Sequence, residues 1–284
     1  MSASFAQRSV QRWALGIEYD GSAFHGFQRQ GHEANTVQGA LEAALSFVAD
    51  EAIKIVCAGR TDTGVHATAQ VVHFDTHASR SPNAWVRGGN SRCPDGVVVL
   101  WAQAVPSDFS ARFSARQRRY TYVLGDGSMP SAIDRAFVTH TMERLDTSSM
   151  QLAAQVLVGE HDFSSFRAAG CQARSPVRRI ATFTVRRYGA CILFDVTANA
   201  FLQHMVRNLV GSLCLVGTGE ITAARIAAIL AQKDRRIAGP AAAAVGLYLT
   251  QVVYDADYGF PMSYRPPWFL VGSDGVLLDC APSS

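Results

Sequence analysis

Residues 58–67 read Ala-Gly-Arg-Thr-Asp-Thr-Gly-Val-His-Ala, and an apolar run from Ile53 to Ala58 leads into them. The run predicts a strand, whereas the following Gly-Arg-Thr-Asp-Thr-Gly contains too many turn-forming residues to continue it. Asp62 is therefore expected on a tight loop at a strand end, close to Arg60 and between two glycines. Such a loop can present a carboxylate to a substrate as a nucleophile or general base. The alternative is an aspartate that only stabilises its own turn, although that turn would need neither Arg60 nor His66.

The bulk composition describes a folded chain with a substantial core. Its 284 residues are 48% hydrophobic and 17% charged, which is typical of one large domain or two of ordinary size. No run of about eighteen apolar residues predicts a membrane-spanning helix. The N-terminal MSASFAQRSVQRW lacks the apolar segment of a secretory signal. We therefore expect a cytoplasmic protein that does not act in a membrane.

Cysteine and histidine spacing predicts neither a metal site nor a cofactor. The six cysteines form no C-x-x-C pair, and the eight histidines form no H-E-x-x-H cluster. Walker and dinucleotide-binding fingerprints are also absent from the sequence. We expect reduced thiols and chemistry carried out by side chains alone.

Arginine supplies nearly all the positive charge, because the chain has only two lysines. Arginines are concentrated in two stretches, at 112, 116, 118 and 119, and at 167, 174, 178, 179, 186 and 187. A guanidinium binds phosphate with a rigid fork and stacks on bases, which favours a nucleic-acid partner. Solvated arginine faces on a chain rich in arginine are the alternative, and composition alone leaves both open.

Hydrophobic periodicity predicts an α+β fold of two similar α/β halves, with helices on one face of the sheet. Strands are predicted at 13–19, 53–58, 69–74, 97–105, 118–124, 180–188, 190–197 and 246–253. Helices are predicted from Thr36 or Asn35 to 48, after Ser81-Pro82, and at 147–158, 200–216 and 222–231. We place an N-terminal half at 1–110, a C-terminal half at 111–260 and a peripheral, proline-rich tail at 261–284.

The helix predicted around 201–216 is apolar over most of its circumference, yet His204, Arg207 and Asn208 form one polar stripe. A buried guanidinium is costly unless a carboxylate pairs with it. Asp62 is one candidate, because an adjacent cation favours the ionised carboxylate. A purely structural ion pair with another acid, such as Asp195, is the alternative.

Tyr120 lies on a predicted strand that alternates Tyr120, Tyr122 and Leu124 with Arg119, Thr121 and Val123. An aromatic ring beside an arginine cluster can serve as a platform on which a base stacks. A tyrosine at strand period is also an ordinary core residue, and the pattern alone does not separate the two.

Taken together, these motifs resemble the bacterial tRNA pseudouridine synthase A family, roughly from Trp13 to Tyr254. The matching segments are Tyr19-Asp20-Gly21, Phe24-His25-Gly26-Phe27-Gln28, Thr36-Val37-Gln38-Gly39, residues 58–67, Ala111-Arg112-Phe113-Ser114-Ala115, Arg119-Tyr120 with Tyr122, residues 159–163 with Ser165-Phe166, and Phe201-Leu202 with residues 204–208 and Gly211. The chain departs from the family at Phe27, where tryptophan is usual, and at Gln203, where an aromatic is usual.

The resemblance implies isomerisation of uridine to pseudouridine at tRNA positions 38, 39 and 40, in the anticodon stem-loop. It implies an α+β fold whose mostly antiparallel sheets form a continuous core around a central cleft, and a homodimer in which one tRNA contacts both subunits. Asp62 aligns with the catalytic aspartate and Arg207 with its ionic partner. Tyr120 aligns with the tyrosine that stacks on the target base. Arg60 aligns with the arginine that enters the stem and holds the nucleotide out.

Two rival functions fit parts of the same pattern. Asp62-Thr63-Gly64 is also the D-T-G of aspartic proteases, which need two such carboxylates, and the motif occurs once here. A noncatalytic RNA-binding protein would retain the arginine clusters but would not need Asp62 beside Arg207.

Overall fold

The computed structural model describes residues 9–29, 31, 35–127, 129–261 and 264–271. The first eight residues of the segment tested for a secretory signal, and the sixth cysteine, Cys280, lie outside these ranges. The five described cysteines are free thiols. None of the helices in the described ranges is long and apolar enough to cross a membrane.

Ten described strands form one sheet. They are β1 (Gln11–Tyr19), β2 (Val56–Cys57), β3 (His66–Thr76), β4 (Val97–Val105), β5 (Gln117–Asp126), β6 (Thr139–Thr141), β7 (Gly159–Asp162), β8 (Val177–Tyr188), β9 (Cys191–Ala198) and β10 (Leu247–Val253). The order is β4-β1-β3-β10-β5-β9-β8-β7, with β2 beside β3 and β6 beside β5. The helices are α1 (Val37–Ala49), α2 (Pro82–Asn90), α3 (Thr147–Gln155), α4 (Met205–Gly217) and α5 (Ala223–Gln232).

The last strand, β10, joins the two parts of the sheet. It pairs antiparallel with β5 and parallel with β3, where Tyr248 lies opposite His66 and Leu249 opposite Ala67. One hydrophobic core therefore runs through strands from both predicted halves. The parallel joint lies at the start of β3, directly after residues 58–65, so it places the Asp62 loop next to the middle of the sheet.

Helices α1 and α2 begin at side-chain caps, as predicted, whereas α4, predicted from residue 200, begins at Met205 without a side-chain cap. Thr36 Oγ1 accepts a hydrogen bond from the Gly39 N–H at 3.2 Å, and Ser81 caps α2, which has Pro82 in its first turn. Helix α1 packs against α2, which packs on β4, while α3 packs on β8 and against α4. The predicted α+β class is confirmed.

One predicted strand, 53–58, is mostly not a strand. Only Val56–Cys57 pairs with β3. The Ile53 N–H donates instead to Ser46 Oγ at 2.9 Å, and the Ile55 N–H donates to Glu42 Oε1 at 3.1 Å. Most of its apolar side chains are buried, although Val56 is 42% exposed. Side chains of α1 take the backbone hydrogen bonds that a neighbouring strand would otherwise provide.

The described part of the predicted peripheral tail packs on the sheet. The Tyr264 ring stacks on the Arg119 guanidinium at 3.6 Å, and its hydroxyl lies 3.2 Å from Asp195 Oδ2. Leu270 is buried in a small cluster with Val123 and Tyr248. A proline-rich segment predicts no helix or strand, but its aromatic and apolar side chains still bury area. Residues 272–284 lie outside the described ranges.

Candidate active site

The Asp62 loop is anchored at its start by Gln70 of β3. The Gln70 side chain donates to Gly59 O at 2.5 Å and accepts from the Gly59 N–H at 3.3 Å. The Ala58 N–H donates to Val71 O at 2.8 Å, which continues the strand pairing up to the loop. A buried amide that binds both the N–H and the C=O of one residue fixes the orientation of the backbone that leads to Asp62.

A second anchor comes from the segment that follows β1. The Phe27 N–H donates to Thr61 O at 3.0 Å, and the hydroxyls of Tyr19 and Thr61 lie 2.8 Å apart. Gly26 has φ +87°, and a Cβ there would lie 3.0 Å from Thr61 O. A side chain at this position would be strained by its backbone conformation and would press on the loop. Glycine therefore lets two loops cross beside Asp62.

The Asp62 carboxylate lies between a histidine and an arginine of α4. Asp62 Oδ2 is 3.4 Å from His204 Nε2 and 3.6 Å from Arg207 Nη1, and the side chain is 30% exposed. The ion pair with Arg207 that the sequence suggested is therefore present. Both distances exceed those of a charge-assisted hydrogen bond. Within the described residues, the carboxylate accepts no side-chain hydrogen bond, so its oxygens stay accessible to a substrate.

Arg207 is held in place by the segment before β10. Its Nε donates to Ala242 O at 2.7 Å, and the Ala242 N–H donates back to Arg207 O at 3.0 Å. This segment crosses α4 closely, since a Cβ on Gly211 would lie 1.8 Å from Pro240 O. The guanidinium is thus positioned by one backbone carbonyl and directed at Asp62 by its remaining donors.

His204 is the site residue for which sequence reasoning assigned no contact. It lies before α4 with φ +61°, a left-handed conformation that few side chains adopt. This backbone turn places its ring beside Asp62. The sequence feature that could have predicted this contact is the spacing of His204 and Arg207, three residues apart on one polar stripe. That spacing alone did not show that both side chains would face the same carboxylate.

Tyr120 borders the Asp62 loop from β5. Its ring packs edge-to-face on Phe201, with centroids 5.0 Å apart, and a Cβ on Gly59 would lie 3.5 Å from its hydroxyl. Burial raises the pKa of Tyr120 well above its ordinary value; Arg118 opposes this increase and Asp62 adds to it. A neutral phenol is a poor proton acceptor, so this environment favours a stacking role over acceptance of a proton.

Arg60 lies on the same loop and is exposed. Its guanidinium has no hydrogen-bond or ion-pair partner among the residues that the structure describes. The side chain therefore breaks no hydrogen bond or ion pair to the described residues when it binds a ligand beside Asp62.

The first arginine cluster is largely structural. Buried Arg118 donates to the carbonyls of Ala58, Arg112, Ala115 and Asn199. Arg119 pairs with Asp195, and Arg116 with Asp255, each through two hydrogen bonds. Three of the four guanidinium groups therefore have protein partners. Proximity in sequence could not show this, because those partners lie far away along the chain.

The second cluster is divided. Arg187 forms two hydrogen bonds with the fully buried carboxylate of Asp126, at 2.6 and 2.9 Å. Arg174, Arg179 and Arg186 are exposed. These three arginines keep their charge facing solvent.

His66, which the sequence placed in the same loop motif, is part of the scaffold. Its ring is buried, its Nδ1 accepts from the Gly21 N–H at 3.1 Å, and its Nε2 lies 3.1 Å from Val245 O. It stacks on Tyr248 with centroids 4.7 Å apart. Burial lowers its pKa, and nearby Asp20 only partly opposes this shift. His66 therefore joins β3 to the segment before β10.

The chain is similar to known proteins over most of its length. A family model described as tRNA pseudouridine synthase matches residues 16–114 and 153–255, which include Arg60, Asp62 and Arg207 but not Tyr120. A solved Cbf5-Nop10-Gar1 complex aligns with 14% identity and a TM-score of 0.35 over 84% of this chain and 48% of that one, a likeness too low to argue from.

Curated relatives match over nearly the whole chain. Proteins named tRNA pseudouridine synthase A are 50% identical in Klebsiella pneumoniae, over 93% of this chain and 97% of theirs, and 52% identical in Mannheimia succiniciproducens, over 90% and 97%. The one from Aeromonas salmonicida is 51% identical over 92% and 97%. With the family model covering most of the sequence and such identity over its length, this chain belongs to the tRNA pseudouridine synthase family.

Proposed function

We propose that the protein isomerises uridine to pseudouridine in tRNA, at positions 38, 39 and 40 of the anticodon stem-loop, with Asp62 as the catalytic group. The observation that carries this proposal is the Asp62 carboxylate, which a rigid loop presents to solvent beside Arg207 and His204. Family membership supports the reaction and the tRNA substrate.

The reaction breaks the bond between N1 of the base and C1′ of the sugar, and then joins C5 to C1′. C5 loses a proton and N1 gains one, so no redox group or external donor is required. Asp62 acts as a nucleophile or as the base that assists deprotonation of the sugar, and both routes require an ionised, accessible carboxylate. The positive charge of Arg207 stabilises that anion without occupying its oxygens.

The target nucleotide must leave its stack before the base can turn, at a cost of a few kcal/mol. Arg60 and Tyr120 are placed to offset this cost. Arg60 enters the space vacated in the stem, and Tyr120 stacks on the extruded base, which is worth about 1–3 kcal/mol. The exposure of Arg60 and the position of the Tyr120 hydroxyl beside Gly59 of the Asp62 loop support these roles.

Neither rival function accounts for the neighbours of Asp62. An aspartic protease needs a second carboxylate that shares a proton with the first, whereas the groups beside Asp62 are an arginine and a histidine. A noncatalytic RNA-binding protein would not need a carboxylate on a loop that two sets of hydrogen bonds hold in place. At an RNA-binding surface, that negative charge would repel phosphate.

The test is tritium release from C5-labelled uridine in an unmodified tRNA transcript. Wild type and the exposed-surface control Asp257→Asn should release tritium, and Asp62→Asn should not. Transcripts with a single uridine at 38, 39 or 40 then report the positions modified. If wild type releases no tritium but still binds tRNA, the noncatalytic alternative is correct.

We further infer that the protein works as a cytoplasmic homodimer, with one tRNA contacting both subunits, as the family resemblance implies. Sedimentation should give twice the chain mass of 30.6 kDa. Cell fractionation checks the location. Sedimentation at the mass of one chain would contradict the dimer without affecting the assignment of the reaction.

A further inference from the structure

A cavity of about 460 Å³ lies at the C-terminal end of α5, apart from the Asp62 carboxylate. It is lined by Ser164, Arg167, Ala168, Ala169, Lys233, Asp234 and Arg235. We propose that it binds a backbone phosphate of the tRNA strand that carries the target uridine. This inference rests on the proposed function, because it takes tRNA as the substrate.

The charge balance of the cavity favours an anion. Asp234 already accepts from Arg236, at 2.6 Å, and caps the short 3-10 helix that follows it. Lys233 Nζ is 3.3 Å from Asp162 Oδ2 but remains largely exposed. Arg167 has no hydrogen-bond or ion-pair partner among the described residues. The cations around the cavity therefore outnumber the carboxylates.

Arg235 is already oriented by the protein. Its Nη2 donates to Asn208 Oδ1 at 3.0 Å, and its Nη1 donates to Ala238 O at 3.2 Å. A guanidinium has five N–H donors, so others remain for a ligand. A prepositioned arginine loses little conformational entropy on binding phosphate, and its planar fork matches two phosphate oxygens.

Lys233 has an unusual backbone conformation. It ends α5 with φ +55°, in the left-handed region where glycine is the usual residue. A lysine is more strained than glycine in this conformation. Unlike glycine, however, it places an ammonium group at the rim of the cavity. Of the three described non-glycine residues with positive φ, one is His204 at Asp62 and another is Lys233 at this cavity.

The cavity and the Asp62 site share one helix turn. Asn208, which holds Arg235, follows Arg207 directly and donates to Phe166 O at 2.8 Å. The Ala168 N–H at the cavity wall donates to Gln203 O at 2.9 Å, one residue before His204. A strand whose phosphate is fixed in the cavity is therefore held near the point where its nucleotide must leave the stack.

The test compares two charge-matched double variants. Arg167→Gln/Lys233→Gln removes two cations from the cavity, and Arg87→Gln/Arg225→Gln removes two exposed arginines from α2 and α5. Affinity for unmodified tRNA is measured across a series of KCl concentrations, and thermal melts verify folding. The cavity variant should bind about tenfold more weakly at low salt. Its slope of log K against log[KCl] should be shallower by about 0.7–1, as expected for one lost phosphate contact.

The control variant should keep the wild-type slope to within about half that difference. The maximal rate at saturating tRNA should change less than about twofold in either variant, because Asp62 is untouched. If the cavity variant and the control show the same affinity and slope, the cavity does not bind tRNA phosphate. That result is independent of turnover, whereas absence of tritium release by wild type would overturn the proposed reaction instead.

A second measurement identifies the phosphate. Neutral methylphosphonate linkages are introduced one at a time along the anticodon stem-loop, and the affinity of wild type and the cavity variant is compared. One linkage should weaken wild type but have no further effect on the variant. If every linkage weakens both proteins equally, while inorganic phosphate raises the melting temperature of wild type only, the cavity binds free phosphate and the proposal is wrong.

Discussion

Two arginine–aspartate pairs in this fold have opposite designs. Arg119 and Asp195 lie on neighbouring strands and share two hydrogen bonds, at 2.6 and 2.9 Å, with the carboxylate only 7% exposed. Thr121 and Tyr264 donate further hydrogen bonds to the same carboxylate. Arg207 and Asp62 approach only to 3.6 Å, and the carboxylate is 30% exposed.

Under the proposed function, the difference separates a stabilising pair from a reactive one. In the first pair, each carboxylate oxygen is occupied by donors, so the group holds β5 to β9 and has no capacity left for a substrate. In the second pair, the cation is close enough to stabilise the anion, but its best hydrogen bond goes to a backbone carbonyl. Asp62 keeps accessible lone pairs, which a nucleophile or base requires.

The largest effect should follow Asp62→Asn. Turnover should fall by about 10⁴-fold or more, since the substitution removes the reacting group. The melting temperature should change by less than about 2 °C, because the lost ion pair is long and partly exposed. Affinity for tRNA should stay within about tenfold, because phosphate contacts dominate it. Normal turnover would exclude Asp62 from the chemistry.

Arg119→Ala should have the opposite effect: stability should fall, and turnover should be kept. It leaves Asp195 buried without its ionic partner, at a cost of about 3 kcal/mol in the free energy of unfolding. The melting temperature should fall by roughly 6–12 °C, while turnover per folded molecule stays close to wild type. If Arg119→Ala is as stable as wild type, the Arg119–Asp195 pair does not stabilise the fold, and the contrast with Arg207 and Asp62 is wrong.

Arg207→Ala should reduce both turnover and stability, each to an intermediate degree. Loss of the hydrogen bond to Ala242 should cost about 2 kcal/mol of stability, and loss of the charge beside Asp62 should reduce turnover about 100-fold. Arg207→Lys keeps the charge but not the geometry, so it separates the two effects. If turnover is lost and lysine fully restores it, charge alone accounts for the role of Arg207 in catalysis.

Arg60→Ala should reduce turnover at limiting substrate by about ten- to a hundredfold, in proportion to the lost compensation for extrusion. Stability should not change, because the side chain is exposed. A transcript whose target uridine is mismatched leaves its stack more easily. The deficit should shrink with that transcript, and an equal deficit on matched and mismatched tRNA would argue against insertion into the stem.

The smallest effect is expected for Tyr120→Phe. Burial keeps the pKa of Tyr120 above its ordinary value, so the phenol remains neutral across pH 6–9, and removing its hydroxyl should change turnover less than about fivefold. Tyr120→Ala is the control, since it removes the stacking surface as well. If the turnover of Tyr120→Phe depended on pH where that of wild type does not, Tyr120 would have a role in proton transfer.

Several site features were predictable because they depend on local chemistry. Turn residues predicted the Asp62 loop, and a polar stripe on an apolar helix predicted that Arg207 needed an anion. The partner of Asp195 was not predictable, because Arg119 and Asp195 are separated by 76 positions. The contact between His204 and Asp62 depends on a left-handed backbone at His204, which neither charge nor hydrophobic periodicity reports.

The amino-acid sequence by itself determined the elements whose free energy is local: capped helices, alternating strands, a glycine-flanked loop and the family motifs. Tertiary structure alone decided which charges are neutralised. Arg118 became a buried donor to four carbonyls, Asp62 kept a loose partner, and Arg167, Lys233 and Arg235 gathered around one cavity. The physical reason is that the strength of a charge interaction depends on burial and on the distance to partners far along the chain, and only the packed sheet and helices set either.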